Sequence, residues 1–502
     1  MSMENENQGG ENEAAPLLGP RSSRSSPASQ QKPRIATFLL TMCIFLLSTS
    51  STMIQVPLIQ LMENNLCDRY LGEIGQLNPL IDRKICKGDG IQSKLAYLTA
   101  SIGAIESVTG LIVAFPYGVL ADKLGRKPIV YLSATGTALY LAYALAVLNF
   151  SNILAIEYML LGPLFTAIGG GSTVINASLY SLASDLVPDT NIAVSYFMMA
   201  FGGLSGSSAG PTISSKLMEK FSPWLPTLIG SLILPTSMSL LIFLPEIIVP
   251  RDDSSERGAS EWGELSSSRF KSRFSQSLSS LKALVRKRHF FSILLILVTY
   301  LRVMPEDLAY GQLLVQYVSK RYGWSFADVG YLLTARGITQ TFTLLILFPV
   351  ISHLLSKYMR PAVKNLILAR ALACLVIVGS LLTGAPHIGL AIFGLMLQAS
   401  GAGLSPICRA IAISYMASQD KSKVNAMIGM LETLGSLFAG PTLAWLFALG
   451  MKLGDVWFGL PYFGLAGWCL LCLLGLLFIV PAQDQEIGDP DENQSSTASC
   501  SD

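Results

Sequence analysis

The fold is set by Gly118-Val119-Leu120-Ala121-Asp122-Lys123-Leu124-Gly125-Arg126-Lys127, a charged turn between two apolar segments, 95–120 and 128–148. Each segment is long enough to cross a bilayer as a helix, which takes roughly 20 apolar residues. Gly118 and Gly125 remove side-chain bulk where backbones approach or turn. Asp122 and Arg126 stand four residues apart, within salt-bridge reach. The basic residues of the turn predict that it faces the cytoplasm.

The composition is that of a membrane protein. The 502 residues are 51% hydrophobic and only 14% charged, with a mean hydropathy of +0.50. Soluble domains carry about 25% charged residues. The net charge of +2 gives no reason to expect a nucleic-acid partner. The first residues are polar and acidic, so we expect no cleavable signal peptide.

The hydropathy pattern predicts an all-α membrane protein with twelve transmembrane helices in two pseudo-symmetric six-helix halves. The predicted helices are 35–58, 95–120, 128–148, 153–178, 193–217, 225–244, 291–317, 327–350, 363–384, 388–412, 425–448 and 458–480. The predicted organisation is a disordered cytoplasmic tail (1–33), a first half (34–250), a cytoplasmic central loop (251–290), a second half (291–481) and an acidic cytoplasmic tail (482–502). The fourth and tenth helices are expected to extend to Val187 and Ser418.

Charge and an internal repeat support this layout. Predicted inner segments hold most of the Lys and Arg, which places both termini in the cytoplasm. Ala209-Gly210-Pro211-Thr212 recurs 230 residues later as Ala439-Gly440-Pro441-Thr442. The predicted starts of helices 1 and 7 lie 256 residues apart. Matching glycine and proline interruptions in two halves are typical of secondary transporters.

Several ionisable residues fall within the predicted helices, where a charge costs at least about 2.5–3.5 kcal/mol and therefore faces a cavity or a partner. The sequence predicts that one carboxylate binds a coupling proton. Glu106, in the second helix, is the first candidate; the others are Glu306, Asp307 and Glu432. The alternative is that these acids are permanently paired with arginines and only hold helices together.

Polar and basic residues on the predicted helices are candidates for lining a substrate cavity. Uncharged polar groups on helices 1 and 7 suit a cavity that hydrogen-bonds an organic solute, and arginines could pair with a charged one. Hydrogen bonding between helices is the alternative reading of each of these residues. The candidates are Gln55, Arg302, Gln316, Arg336, Gln340 and Arg409.

The cysteine, histidine and glycine patterns bear on three other possibilities: a metal site, an enzyme and an ATP-driven pump. Cys67 and Cys86 share a predicted outer loop, where a disulfide forms if the loop faces a lumen or the exterior. No cysteine or histidine spacing resembles a metal site. The chain has no phosphate-binding loop and no visible catalytic triad, so we expect neither an enzyme nor an ATP-driven pump.

The turn at 118–127 resembles the loop 2–3 signature of the major facilitator superfamily, Gly-x-x-x-Asp-x-x-Gly-Arg-Arg/Lys. The resemblance implies two halves that rock about a central site. It also implies that Gly118, Asp122, Gly125, Arg126 and Lys127 form a conformational switch that does not contact substrate. In that family the aspartate caps helix 11 across the interface between the halves and stabilises the outward-open state.

The fifth predicted helix contains Gly206-Ser207-Ser208-Ala209-Gly210-Pro211, which resembles the core of the family's antiporter signature. Phe197 and Ser214-Ser215 stand where glycines would complete that signature. The chain also looks like fungal members of the family, with a long first outer loop, and has a distant likeness to proton-coupled folate transporters.

These resemblances imply proton-coupled efflux of a secondary metabolite or toxic compound, driven by the proton gradient without a cofactor. The alternative is proton-coupled uptake or vacuolar transport of a nutrient-like organic anion. We expect a monomer in the lipid bilayer with a small-molecule substrate. The plasma membrane is the expected location, and the vacuolar membrane is the alternative. A non-transporting receptor that kept the fold is disfavoured by the intact Asp122 turn.

Overall fold

The computed structural model describes residues 27–74, 86–244, 290–415 and 421–479. Within these ranges the regular structure is entirely helical, and consecutive helical segments join into twelve rods, α1 to α12. Ten of the rods are long and apolar enough to cross a membrane. The other two rods, the serine- and glycine-rich α5 and the segmented α7, do not meet this criterion. The predicted all-α membrane fold is confirmed.

The first six rods form the N-terminal half. Their bounds are α1 Pro27–Ile74, α2 Asp89–Leu124, α3 Arg126–Asn149, α4 Ile156–Ala167 (3₁₀) followed by Gly171–Leu186, α5 Asp189–Lys220, and α6 Trp224–Ser239 followed by Leu240–Phe243 (3₁₀).

The last six rods form the C-terminal half. Rod α7 consists of Phe290–Val298, Thr299–Arg302 (3₁₀), Val303–Leu308, Ala309–Leu313 (π) and Leu314–Tyr322. The others are α8 Phe326–Phe342, Thr343–Leu347 (π) and Phe348–Ser356, α9 Pro361–Thr383, α10 Ile388–Ser400 and Leu404–Ser414, α11 Lys421–Leu453, and α12 Asp455–Gly459 (3₁₀) and Leu460–Leu477.

Several predicted helix ends are wrong. Rod α1 begins at Pro27, inside the predicted tail 1–33, and continues to Ile74 instead of ending at 58. The predicted helix 291–317 is a chain of segments that runs to Tyr322, because Pro305 removes a backbone donor near its centre. The predicted extension of the tenth helix to Ser418 and the tail 482–502 lie outside the described residues.

The predicted fourth helix, 153–178, is also wrong as a continuous α-helix. It is interrupted at Gly169-Gly170-Gly171, whose φ angles are +87°, +92° and +62°. Only glycine adopts this left-handed region without a steric penalty. The glycine run therefore bends α4 between its 3₁₀ and α-helical parts.

Close glycine contacts reveal the symmetry of the two halves. A Cβ on Gly206 of α5 would collide with the main-chain oxygen of Phe45 on α1. A Cβ on Gly435 of α11 would lie 2.6 Å from the main-chain oxygen of Leu301 on α7. Phe45 and Leu301 are 256 residues apart, the separation of the predicted starts of helices 1 and 7. The same close crossing therefore occurs in both halves.

The halves meet along two seams, α2 with α11 and α5 with α8. In the first seam, a Cβ on Gly440 would lie 2.9 Å from the main-chain oxygen of Ala100. Large apolar side chains cover the outside of the bundle and are exposed, as expected of lipid-facing positions. Examples are Leu232, Phe243, Phe438 and Leu471.

Candidate functional site

The central charged cluster is built on α7. Arg302 and Glu306 lie one turn apart and form an ion pair between Arg302 Nη1 and Glu306 Oε2. Both side chains are largely buried, with 5% and 15% of their surface exposed. A buried guanidinium requires such a partner, because an unpaired charge is costly in a medium of low dielectric constant. The sequence offered permanent acid–arginine pairing as the alternative to proton binding. Arg302 and Glu306 have the geometry of such a pair.

Gln398 on α10 completes the environment of Glu306. Its Nε2 atom donates a hydrogen bond to Glu306 Oε1, and its Oε1 atom accepts one from Arg336 Nε on α8 at 3.5 Å. The main chain of Gln398 packs against Gly379 of α9, where an added Cβ would lie 2.5 Å from Gln398 N. Both carboxylate oxygens of Glu306 are thus occupied. The sequence prediction missed Gln398, although a lone amide in an apolar helix is a visible signal.

Asp307 is placed differently from its neighbour. The residue is exposed, whereas only 15% of the Glu306 side chain is exposed. Among the described residues, no cation lies within salt-bridge distance of its carboxylate.

Arg336 lies on the same side of the cluster. Its guanidinium carbon is 5.2 Å from the centre of the Tyr310 ring, a cation–π arrangement. Tyr310 is fully buried on α7 and donates a hydrogen bond of 2.8 Å to Ser380 on α9. No carboxylate in the described part of the chain forms a salt bridge with Arg336. Gln340 is half-buried one turn further along α8.

Arg409 and Glu432 lie towards the cytoplasmic ends of α10 and α11. Arg409 Nη2 is 3.4 Å from Glu432 Oε1, and 47% and 22% of the two side chains are exposed. The structure therefore pairs this arginine and this acid with each other in a solvated position. Their predicted roles in substrate and proton binding remain predictions.

Glu106 lies near the middle of α2 and is half-buried. Within the described ranges, no lysine or arginine forms a salt bridge with it. Glu106 therefore lacks the partner that Glu306 has.

Two predicted cavity residues lie where α1 and α2 face α7. A Cβ on Gly311, in the π-helical turn of α7, would lie 3.2 Å from Gln55 Nε2 on α1. Gln316 is fully buried and its Nε2 atom donates to Thr99 Oγ1 on α2 at 3.4 Å. Both glutamines thus lie at contacts between the halves, one at the centre and one nearer the outer end.

The α5–α8 seam is narrow at one end and open at the other. At the end assigned to the outside by the charge pattern, Thr212 donates to Thr334 at 2.9 Å and Tyr331 donates to Glu219 at 3.1 Å. Towards the inner end, the rods separate around a cleft of about 350 Å³. Its walls include Phe201, Ser205, Ile338, Thr341 and Phe342.

The fifth-helix motif is a packing surface. A Cβ on Gly206 would collide with Phe45 O, and one on Gly210 would lie 2.8 Å from Thr49 O of α1. Pro211 is accommodated inside α5, which runs unbroken through it. The motif therefore brings α5 and α1 into close contact, as small residues do in membrane bundles.

The charged turn is only partly as predicted. Gly125 has a φ of +92°, so the turn requires glycine there. A Cβ on Gly118 would meet no atom within 4 Å in this structure, and its predicted role remains a prediction. Arg126 Nε lies 2.6 Å from Asp185 on α4, whereas the side chain of Asp122 lies outside the described residues. The predicted switch role of the turn remains a prediction.

Lys127 has a structural contact that the sequence did not indicate. It is buried, and its ammonium donates to the main-chain oxygen of Leu244 at the end of α6. In the second half, Arg370 of α9 donates to the main-chain oxygen of Leu476 at the end of α12, at 3.0 and 3.1 Å. A cation satisfies the free carbonyls and the negative end of the dipole at each helix terminus. The third and sixth rods of each half are joined in the same way.

A disulfide joins Cys67 at the outer end of α1 to Cys86 just before α2. In the described parts of the chain, no group of histidine, cysteine and acidic side chains could hold a metal ion.

Comparison with known proteins identifies the family. Residues 37–316 match the model of the Major Facilitator Superfamily. The MFS efflux pump atnC of Emericella nidulans is 28% identical over 95% of this chain and 94% of its own. The MFS-type transporter aprT of Aspergillus flavus is 26% identical over 94% and 95%. The crystal structure of a D-xylose–proton symporter superimposes with a TM-score of 0.61, at 15% identity, over 90% of this chain and 98% of that one.

The fold and the family are those of a membrane transporter rather than an enzyme, with a small molecule as the transported species. The chain therefore belongs to the major facilitator superfamily.

Proposed function

We propose that this transporter exports a small organic molecule in exchange for protons, by alternating access. The observation that carries the proposal is that Asp307 and Glu106, one in each half, form no salt bridge within the described residues. An unpartnered carboxylate in a medium of low dielectric constant is stabilised by binding a proton. Loading and unloading of these acids would link proton movement to the motion of the halves.

The two acids on α7 have different roles in this proposal. Glu306 is paired with Arg302 and accepts a hydrogen bond from Gln398, so in this proposal it positions the cluster. Asp307 is exposed, and in this proposal it exchanges protons with the transport pathway. Because the residues are adjacent, protonation of Asp307 also changes the field at the Arg302–Glu306 pair.

The geometry of the α5–α8 seam supports a rocking motion. The rods touch at the outer end through Thr212 and Thr334, and they part towards the inner end around the cleft. Close packing of Gly206 and Gly435 keeps each half rigid. Two rigid halves that touch at one end can rock against each other, so that this end opens while the other closes. The Asp122 turn would close the inner side in the opposite state.

Export is the direction favoured by the relatives. The protein atnC, which aligns over nearly the whole length of this chain, is called an efflux pump. A secondary metabolite or toxic compound is the corresponding substrate class, and the plasma membrane is the corresponding location. An exporter binds its substrate from the inside.

Purified protein in proteoliposomes with a trapped pH-sensitive dye provides the test. A panel of amphipathic natural products is added on the cytoplasmic side of the protein, and substrate-dependent proton movement in the opposite direction is recorded. The proposal expects a response to at least one compound, abolished in Asp307→Asn. Transport of such a compound with no proton movement would contradict the coupling.

Uptake of an organic anion is the second candidate, and Arg336 favours it. Its guanidinium lies over the ring of Tyr310 and has no salt-bridge partner in the described part of the chain. Such a guanidinium can bind a carboxylate of the substrate. In the same proteoliposomes, proton and substrate moving together, with loss of binding in Arg336→Gln, would favour uptake over export.

A further inference from the structure

The ammonium group of Lys87 is enclosed at the outer end by residues of both halves. Its Nζ atom lies 2.7 Å from Glu63 Oε1 of α1 and donates to Ser319 Oγ of α7 at 2.8 Å. It also lies 4.3 Å from the ring centre of Phe326 at the start of α8. Glu63 belongs to the N-terminal half, and Ser319 and Phe326 belong to the C-terminal half. We call this arrangement the lysine cage.

A second lysine, on the C-terminal half, contributes to the closure of the outer end beside the lysine cage. Lys320 of α7 forms an ion pair of 2.8 Å with Asp89 at the start of α2 and donates to the main-chain oxygen of Lys87. Together, Lys87 and Lys320 form reciprocal contacts across the boundary between the halves. Gln316, buried one turn closer to the centre, adds a hydrogen bond to Thr99. The outer end of the cavity is therefore closed by polar contacts with both signs of charge.

The Cys67–Cys86 disulfide determines where Lys87 stands. It ties the residue just before Lys87 to α1, one turn beyond Glu63, with 5.2 Å between the two Cα atoms. Gln92 of α2 supports the same geometry, because its Nε2 atom donates to Glu63 Oε2 at 2.8 Å and to Cys86 O at 3.2 Å. Lys87 itself precedes the first residue of α2. The Cys67–Cys86 disulfide thus holds Lys87, a loop residue, against the C-terminal half.

The cage is suited to opening in every cycle. Burial lowers the pKa of Lys87 from its ordinary value, although Glu63 acts in the opposite direction. Loss of hydration is the largest cause, and together with repulsion by the nearby Lys320 it outweighs the attraction to Glu63. Buried ion pairs are for this reason close to neutral in net free energy while remaining specific in geometry. A contact of this kind can be broken and re-formed without trapping the carrier in one state.

We propose that the lysine cage is the outer gate of the transporter and that the Cys67–Cys86 bridge holds Lys87 in place to close it. Loss of the bridge frees Lys87 from α1 and shifts the protein towards outward-open conformations. The proposal rests on alternating access but on neither the direction of transport nor its coupling to protons.

Labelling of a cysteine beneath the gate provides the test. Gln312 on α7 lines a small pocket with Thr99 and Leu443, on the inner side of the cage. Gln312→Cys is introduced into protein in which Cys374 and Cys500 are alanine, and a membrane-impermeant maleimide is added to the outside of intact cells. Lys87→Met is expected to speed labelling about tenfold, the effect of losing one charge-assisted contact.

The disulfide is tested in the same assay. Cys67→Ser with Cys86→Ser should give the same increase, and Lys87→Met should add little to it because both act on one gate. Lys94→Met is the matched control, since Lys94 is exposed on α2 outside the cage. The reversed pair Glu63→Lys with Lys87→Glu should restore slow labelling, which a misfolded protein would not do.

Two results would overturn the proposal: unchanged labelling in Lys87→Met, or unchanged labelling after removal of the bridge. Because labelling needs neither substrate nor a proton gradient, its outcome is separate from that of the transport assay. A gate that responds as expected in a protein without proton-linked transport would leave this inference standing and remove the proposed coupling.

Discussion

Gln398 on α10 donates a hydrogen bond to Glu306 on α7, and this contact separates two acids that are adjacent in sequence. Glu306 is fully engaged, by Gln398 on one oxygen and by Arg302 on the other. Asp307, the next residue, is exposed and forms no salt bridge in the described structure. A structural charge and an exchangeable charge therefore occur side by side on α7.

The first prediction compares these two acids. Glu306→Gln leaves Arg302 buried without a counter-charge, which costs about 3–5 kcal/mol, so the purified protein should unfold at a clearly lower temperature. Asp307→Asn should unfold near the wild-type temperature and lose the pH dependence of transport. Thermal unfolding in detergent and pH-dependent transport measure the two effects. The reverse assignment of the two phenotypes would contradict the proposed roles.

The second prediction concerns Glu106. Glu106→Gln should abolish proton-linked movement or uncouple it from substrate, because it removes an acid near the middle of α2 that forms no salt bridge within the described residues. Glu157→Gln is the control, since 68% of the Glu157 side chain is exposed at the outer surface. Transport is measured across imposed pH gradients of increasing size. If Glu106→Gln kept the wild-type pH dependence, Glu106 would not carry the proton.

The third prediction concerns the charged turn. Asp122→Asn should slow transport while leaving protein abundance and substrate binding near wild-type values, because a switch residue acts on the conformational equilibrium. Binding is measured by scintillation proximity or calorimetry with a substrate found in the proteoliposome screen, and transport in the same preparation. Loss of binding would place Asp122 in the substrate site and argue against a switch.

The fourth prediction uses glycines in different surroundings. Gly210→Ala should destabilise the protein by about 1–3 kcal/mol, because its Cβ would press on the α1 main chain at Thr49. Gly118→Ala is the matched control, in an equally helical position with open space around it, and should be neutral or slightly stabilising. Unfolding temperatures of the two variants provide the comparison. Equal destabilisation would show that the contact between α5 and α1 is looser than described.

The fold could be predicted largely from the sequence, because spans of apolar residues and the charged turn are local signals. Helix ends were harder. The polar residues after 58 suggested a loop, yet α1 continues to Ile74 because its outer part packs into the protein. This continuation places Glu63 on a helix, where it can reach Lys87.

The site could be predicted only in part. Arg302 and Glu306 are four residues apart, so their pairing is visible in the sequence. The contact of Gln398 with Glu306 joins residues 92 positions apart, and that of Lys87 with Ser319 joins residues 232 apart. Such contacts depend on the packing of rods from separate parts of the chain, and a single sequence carries no local pattern for them.

Distances between spin labels on the two halves test the central claim, that the halves rock about a central site. Labels at Lys94 and Trp457 report on the outer end, and labels at Ser184 and Tyr358 report on the inner end; all four residues are exposed. When substrate and pH are varied, the account predicts that the outer distance lengthens whenever the inner distance shortens. Outer and inner distances that stayed constant, or that changed in the same direction, would contradict it.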